Sequence, residues 1–358
     1  MKIRAQKQVF ESILINLQPF LEKKDASQIT SHIYFKSENG QCIVKATDSE
    51  IGLKIKTDHI QVDHEGSFTA NGKKLLDIIR ILKDDEIILE LFDANLVIKQ
   101  AHSKFKLPTF DATAFPQFPS EEGKPQISLD SNSLIQNLKK ISPAIDTNNP
   151  KFELNGALIN IKAEQTDLVG TDTRRLAIAT IPADQNSSTE ALSIIVPKKA
   201  IMEIQKLFID EIVISYDETN LIITNDNYFF YTRLINGKFP DYERIIPKSI
   251  KHYIVLPKKE MIDAIKMITT ISQEIKMSLM EDKIIFNSMT SDNVEAKTEI
   301  EIVTGLNERF EFSYNSRYLL DFLTHIESDT FELGINEPSL PFVVKNDNFI
   351  TIIMPIVA

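Results

Sequence analysis

Apolar residues along this 358-residue chain follow two rhythms that take turns. The first is helical. Val9-Phe10 with Ile13, Leu134-Ile135 with Leu138, and Met261-Ile262 with Ile265 share the spacing i, i+1, i+4, one face of an amphipathic helix. These anchors step by 125 and 127 residues. A second helical signal pairs a base with an acid four residues later. It reads Lys73-Lys74-Leu75-Leu76-Asp77, returns as Lys199-Ala200-Ile201-Met202-Glu203, and returns again as Arg317-Tyr318-Leu319-Leu320-Asp321. Helices are expected over residues 7–21, 73–83, 131–142, 197–208, 258–270 and 315–326. A period of this length is too large for a solenoid repeat and matches whole domains.

The second rhythm is that of strands. Ile87–Leu91, Leu96–Ile98, Ile212–Tyr216 and Leu221–Ile223 are rich in β-branched residues and are separated by Asp/Asn turns such as Asp93-Ala94-Asn95. Leu107-Pro108, Phe239-Pro240 and Met354-Pro355 each place a proline where a last strand should end, because proline cannot donate to a ladder. The pattern predicts an α+β protein of three similar domains, each with two helices and antiparallel sheets. Phe115-Pro116-Gln117-Phe118-Pro119 reads as a linker, and a second boundary falls near Pro247-Lys248-Ser249. The expected domains are 1–119, 120–248 and 249–358.

Charge changes this picture more than composition does. The chain carries −11 overall, which argues against nucleic acid as a partner. The six helix windows nevertheless sum to +8, so the acidity lies elsewhere. Lys and Arg are good helix formers, and solvated faces collect them. Six such helices in a threefold repeat would also line one surface with positive potential. There is no finger spacing, Arg-rich arm or tryptophan to read bases, so contact would be with phosphates. Cys42 is the only cysteine, which excludes internal disulfides and fits a reducing cytoplasm. No apolar run is long enough to cross a bilayer, and the sequon Asn186-Ser187-Ser188 reads as a polar loop.

Candidate chemistry is sparse. The ten glycines never form Gly-x-Gly. Gly66–Lys74 resembles a phosphate loop, but its gap is one residue too long and Lys74 stands where a magnesium-binding Ser or Thr belongs. The six histidines show no metal-ligand spacing, and nothing points to a nucleophile, a cofactor or a metal.

Two segments have no counterpart in the repeat. Thr171-Asp172-Thr173-Arg174-Arg175-Leu176-Ala177 reads as a turn entering a strand. It resembles the Thr-Asp-Gly-His-Arg-Leu-Ala motif of the bacterial DNA sliding clamps, the β subunits of DNA polymerase III. Phe239-Pro240-Asp241-Tyr242 is similar to that family's Phe-Pro-Asp-Tyr loop, Leu154-Asn155-Gly156 to its Leu-Asn-Gly, and Ile353-Met354-Pro355-Ile356 to its Val-Met-Pro-Met ending. The resemblance spans the whole chain. It implies a DNA clamp fold in a head-to-tail dimer, a closed ring with duplex DNA through the hole. Helices side by side sit about 10 Å apart, so six in a circle leave about 9 Å and twelve about 28 Å. The groove depths of a duplex sum to about 16 Å, which calls for two chains.

The family's partner site is an apolar cleft that takes short peptides with a Gln and a Leu-Phe-like end. Carried over by position, one wall is Leu154, Thr171, Arg175, Leu176, Pro240 and Ile245. The other is Asn315, Tyr318, Pro341, Ile352, Met354 and Pro355. Arg175 and Asn315 would offer polar handles to the peptide. DNA-facing candidates are Lys73, Lys74, Arg80, Lys139, Lys140, Lys198, Lys199 and Lys206 on helices, with Lys24 and Asn148 on loops. The dimer seam would set Phe105 and Leu107 of one copy against Ile268 and Ile271 of the other. The chain departs from the family at Thr173-Arg174, in place of Gly-His, and at its Ile356-Val357-Ala358 ending. The implied function is a non-enzymatic processivity factor of the cytoplasm. Its implied partners are duplex DNA, a second copy, the polymerase III catalytic subunit, the clamp loader and other peptide-bearing proteins. A peptide-binding scaffold that never closes into a ring is the alternative.

Overall fold

The computed structural model describes residues 1–357 apart from 128, 184–190, 210 and 290–293. The sequon at Asn186 lies outside the described residues. Six α-helices appear among those described: α1 Lys7–Leu17, α2 Gly72–Ile81, α3 Ser131–Ile141, α4 Lys198–Leu207, α5 Lys258–Thr269 and α6 Ser316–Leu323. Each falls on one expected window, with α2 starting one residue early at Gly72. The first is shorter than expected because Pro19 cannot donate to an α ladder, and Gln18–Phe20 tighten into a 3-10 turn. Three helices open on a side-chain cap, with Asn71, Asp130 and Asn315 accepting from the backbone of Lys74, Ser133 and Arg317.

The other three, α1, α4 and α5, open on a lysine. Lys7 Nζ donates to the carbonyls of Arg80 (2.9 Å) and Leu82 (2.8 Å), at the end of α2. Lys258 Nζ donates to Ile326 O just past α6 at 2.6 Å, and Lys198 Nζ donates to Ile145 O beyond α3. A cation on the orphan carbonyls at a helix C-terminal end satisfies them and complements the dipole there. This tie recurs in all three repeats.

Every strand pair is antiparallel. By Cα proximity the chain forms two compact units, Met1–Ser128 with Lys206–Leu234, and Leu129–Gln205 with Ile235–Ala358. The first unit holds a five-stranded sheet, with Ser103–Pro108 at one edge, and an eight-stranded sheet. In the eight-stranded sheet Ile51–Thr57 pairs with Tyr228–Arg233. The second unit holds another eight-stranded sheet, in which Arg175–Pro182 pairs with Phe349–Ile353. It also has a four-stranded sheet edged by Lys297–Glu301 and Phe310–Asn315. Hydrogen-bonded sheets thus run from one repeat into the next, and proximity grouping divides the middle repeat.

One expectation needs correcting. Phe239-Pro240 does not end a strand. The strand ends at Arg233, and Ile235 already donates its N–H to Ile195 O at 2.9 Å, which leads the chain into a loop. The expected linker Phe115–Pro119 packs against its neighbours. Phe115 stacks on Tyr34, and Phe118 meets Tyr231 edge-on at 4.9 Å. Gly52 makes room for this, since a Cβ there would lie 2.3 Å from the Tyr231 ring.

Candidate functional site

The turn between the strands Gln165–Thr171 and Arg175–Pro182 is tied down by its own side chains. Asp172 Oδ1 accepts the N–H groups of Arg174 and Arg175, both at 3.0 Å. Thr171 Oγ1 donates to Arg175 O at 2.6 Å and accepts the N–H of Thr173 at 3.1 Å. This closure puts Thr173 at φ 74, in the left-handed region that suits glycine. A β-branched residue there is strained, and the surrounding hydrogen bonds hold it.

Pairing of Leu176 with Ile352 and of Val343 with Ile352 joins the turn to the C-terminal strand. Leu154, Leu176 and Ile352 lie buried in one cluster with Phe239 and Tyr242. Buried this way they are beneath the expected cleft rather than on its wall: Leu176 and Ile352 lie on a sheet face that packs inward, and Leu154 ends a short 3-10 helix. The exposed apolar surface above them is Ile245 at 45 % and Met354 at 43 %. Pro240 is exposed, and Tyr318, Pro341 and Pro355 are half-buried. Met354 donates its N–H to Arg174 O at 2.9 Å, which fixes it beside the turn.

The loop that carries Pro240 and Ile245 is held from beneath. Tyr242 donates its hydroxyl to Asp167 Oδ2 at 2.8 Å, and Asp167 also receives Lys162 at 2.7 Å, Gln165 at 2.8 Å and Thr180 at 2.9 Å. Burial pushes the Asp167 carboxyl up, but the bonds from Lys162, Tyr242 and Thr180 outweigh it and hold it below the usual range. Of these supporting residues only Tyr242 carries a motif signal, as the last residue of Phe239-Pro240-Asp241-Tyr242; Lys162, Gln165, Asp167 and Thr180 carry none.

Arg175 is not the polar handle expected. It is buried, and each guanidinium nitrogen has an acceptor. Nε donates to Asp172 Oδ2 at 3.0 Å, Nη1 to Asp321 Oδ2 at 2.6 Å, and Nη2 to Pro143 O. Its face lies 4.5 Å over the Tyr318 ring. Asn315 is likewise engaged, as the cap of α6.

Among the DNA-facing candidates, Lys24, Lys73, Lys74, Arg80, Lys139, Asn148, Lys199 and Lys206 are exposed. Arg80 lies 3.7 Å from Glu11. The loop bearing Asn148 is pinned by Asn155, which exchanges bonds of 2.8 and 3.0 Å with Asn149. Two candidates are differently employed. Lys198 makes the interhelix tie described above, and burial pushes its ammonium below the usual range. Lys140 is half-buried and donates to Asn348 Oδ1 at 2.8 Å. At the expected seam, Phe105 is half-buried and Ile271 is 42 % exposed, whereas Leu107 (8 %) and Ile268 (1 %) belong to the core. Leu107 faces inward from its sheet, and Ile268 lies on the buried stripe of α5.

Among the described residues no group of His, Cys, Asp or Glu is placed to hold a metal ion. Cys42 is buried and its thiol is pushed up to about 12, so it is a poor nucleophile. No helix among the described residues is long and apolar enough to cross a membrane.

Three family models match the chain in succession, all described as DNA polymerase III beta subunit: the N-terminal domain over residues 1–119, the central domain over 128–241 and the C-terminal domain over 243–357. The beta sliding clamp of Helicobacter pylori is 40% identical over 372 residues, covering 99% of this chain and 100% of that protein. That of Caulobacter vibrioides is 29% identical over 363 residues, covering 96% and 95%. A crystal structure of the Helicobacter pylori beta clamp bound to a DNA ligase peptide superposes with TM-score 0.94 at 40% identity, covering all of both chains.

Proposed function

The chain belongs to the DNA polymerase III beta subunit family, and from that premise we propose that it is a ring-forming clamp that encircles duplex DNA. Two copies close head to tail, each contributing three domains at 1–119, 120–248 and 249–358. The ring holds a polymerase on DNA by topology, so no single contact needs to be strong and dissociation is still slow. It catalyses no reaction and works in the cytoplasm.

The exposed bases of α2 and α3, with Lys199, Lys206, Lys24 and Asn148, face the phosphates. Lys198 and Lys140 are left out of that set, since their ammonium groups serve the fold. The seam rests on backbone edges and charge. Lys104 and Lys106 are exposed on the edge strand Ser103–Pro108, and Glu299 and Glu301 on the edge strand Lys297–Glu301. Pairing these edges between copies extends both sheets and sets opposite charges across the join.

Partners bind above the Leu176–Ile352 pair, where Met354, Ile245 and Pro240 offer apolar surface beside the turn. That juxtaposition carries the proposal. A peptide's aliphatic and aromatic anchors bury there; the related clamp has been crystallised bound to a DNA ligase peptide. Calorimetric titration with a synthetic peptide carrying a Gln and a Leu-Phe end tests it. Met354→Ala should weaken binding about tenfold by removing a buried anchor contact. Unchanged affinity would remove the cleft assignment.

A further inference from the structure

Three separate segments meet on one guanidinium. Pro143 follows α3, Asp172 sits in the 171–175 turn, and Asp321 lies on α6, yet all three accept from Arg175. A buried, planar cation with a carboxylate on two of its nitrogens is a rigid junction, because Arg donates in a fixed fork.

Asp321 and Tyr318 are three apart on α6 and therefore share a face of that helix. Both engage Arg175, one by charge and one by its ring. Arg317, a turn before Asp321, also approaches its carboxylate at 3.8 Å. Any roll of α6 about its axis would break the ion pair and slide Tyr318 off the guanidinium together. The repeat itself does not demand this contact. Asp77, at the same place in the first copy, is exposed to solvent. At Asp321 the acid instead meets the unmatched 171–175 turn through Arg175.

We propose that Asp321 is a positioning residue for peptide recognition: by gripping Arg175 it fixes the Tyr318 ring and the 171–175 turn at the spacing a peptide's apolar anchor requires. The inference rests on the cleft reading given above, and Asp321 itself touches no peptide. Arg175 acts through its neighbours in the same way and is not a handle for the ligand.

The test titrates the full-length protein with the same Gln/Leu-Phe peptide. Asp321→Asn should bind about tenfold more weakly, since a neutral amide holds a guanidinium less firmly than a carboxylate does. Asp321→Glu keeps the charge but displaces it by one methylene, so it should fold normally and lose about threefold. Ile284→Val, in the buried four-stranded sheet away from the turn, is the control for general destabilisation and should bind as the wild type does. A graded loss from Glu to Asn that the control does not share is the expected signature. Wild-type affinity in both Asp321 variants while Met354→Ala binds weakly would overturn the positioning role and leave the cleft standing. A loss in Asp321→Asn no larger than in a control of equal melting temperature would also overturn it. If Met354→Ala and Asp321→Asn both bind normally, the cleft reading falls and the inference with it.

Discussion

Lys198 donates from Nζ to the backbone carbonyl of Ile145, the tie that Lys7 makes to Leu82 and Lys258 to Ile326. It is therefore part of the fold's repeat, and we propose that it takes no part in a DNA surface. Lys198→Met should leave that carbonyl without its donor and cost about 1–2 kcal/mol, seen as a lower melting temperature. Retention on DNA at low salt should not change. Lys139→Glu should do the reverse, weakening salt-sensitive DNA contact without lowering the melting temperature. An effect of Lys198→Met on DNA retention at matched stability would return it to the DNA-facing set.

Thr173 occupies a left-handed backbone position at φ 74. Glycine relieves that strain but has more freedom to lose on folding. For a β-branched residue the relief should prevail, so Thr173→Gly should stabilise the protein by about 1 kcal/mol in urea titrations. A lower unfolding midpoint would show that the bonds from Thr171 and Asp172 already absorb the strain.

His32 is buried against Phe110, and its Nδ1 lies 3.3 Å from Thr69 Oγ1. Burial, with the charge of Lys74, pushes the imidazole down to about 4. The folded protein keeps the ring neutral while the unfolded chain protonates below about pH 6.5. The contribution is whole above that pH and is lost as pH falls towards 4, by at most about 3 kcal/mol. Between pH 7 and 5 the wild-type melting temperature should therefore fall more steeply than that of His32→Gln. Parallel curves would contradict this.

The edge charges make the seam testable without touching the core. Lys104→Glu with Lys106→Glu sets like charges across the join and should weaken the dimer about tenfold in sedimentation experiments. Combining that with Glu299→Lys and Glu301→Lys in the same chain restores complementarity and should restore the mass. A dimer indifferent to both changes would place the seam elsewhere.

The repeat, the helices and the strand positions were legible because each follows a local rhythm that packing then enforces. Phe10, Leu134 and Met261 are all buried where the helical spacing puts them. The resemblance points to a site through its motif residues but does not say which of them the fold buries. Leu176 and Ile352 look like cleft wall in a motif but are buried, because pairing register decides which way a strand residue faces. Lys198 looks like every other helix lysine. Only a distant carbonyl, brought close by folding, sets it apart. Asp321 stood in plain view as the third acid of the repeat, but its partner lies 146 residues away in the chain. Proline misleads at Phe239-Pro240, since it forbids donation without saying whether a strand precedes it.

Topological retention is the central claim, and one comparison tests it most directly. The protein is loaded onto closed circular duplex DNA, passed over a sizing column, and the same sample is passed again after the DNA is cut once. Encirclement predicts that it travels with the circle and is lost from the linear form, with base composition and ionic strength unchanged. Equal retention on circular and linear DNA would mean that it binds by contact alone, and would contradict the ring.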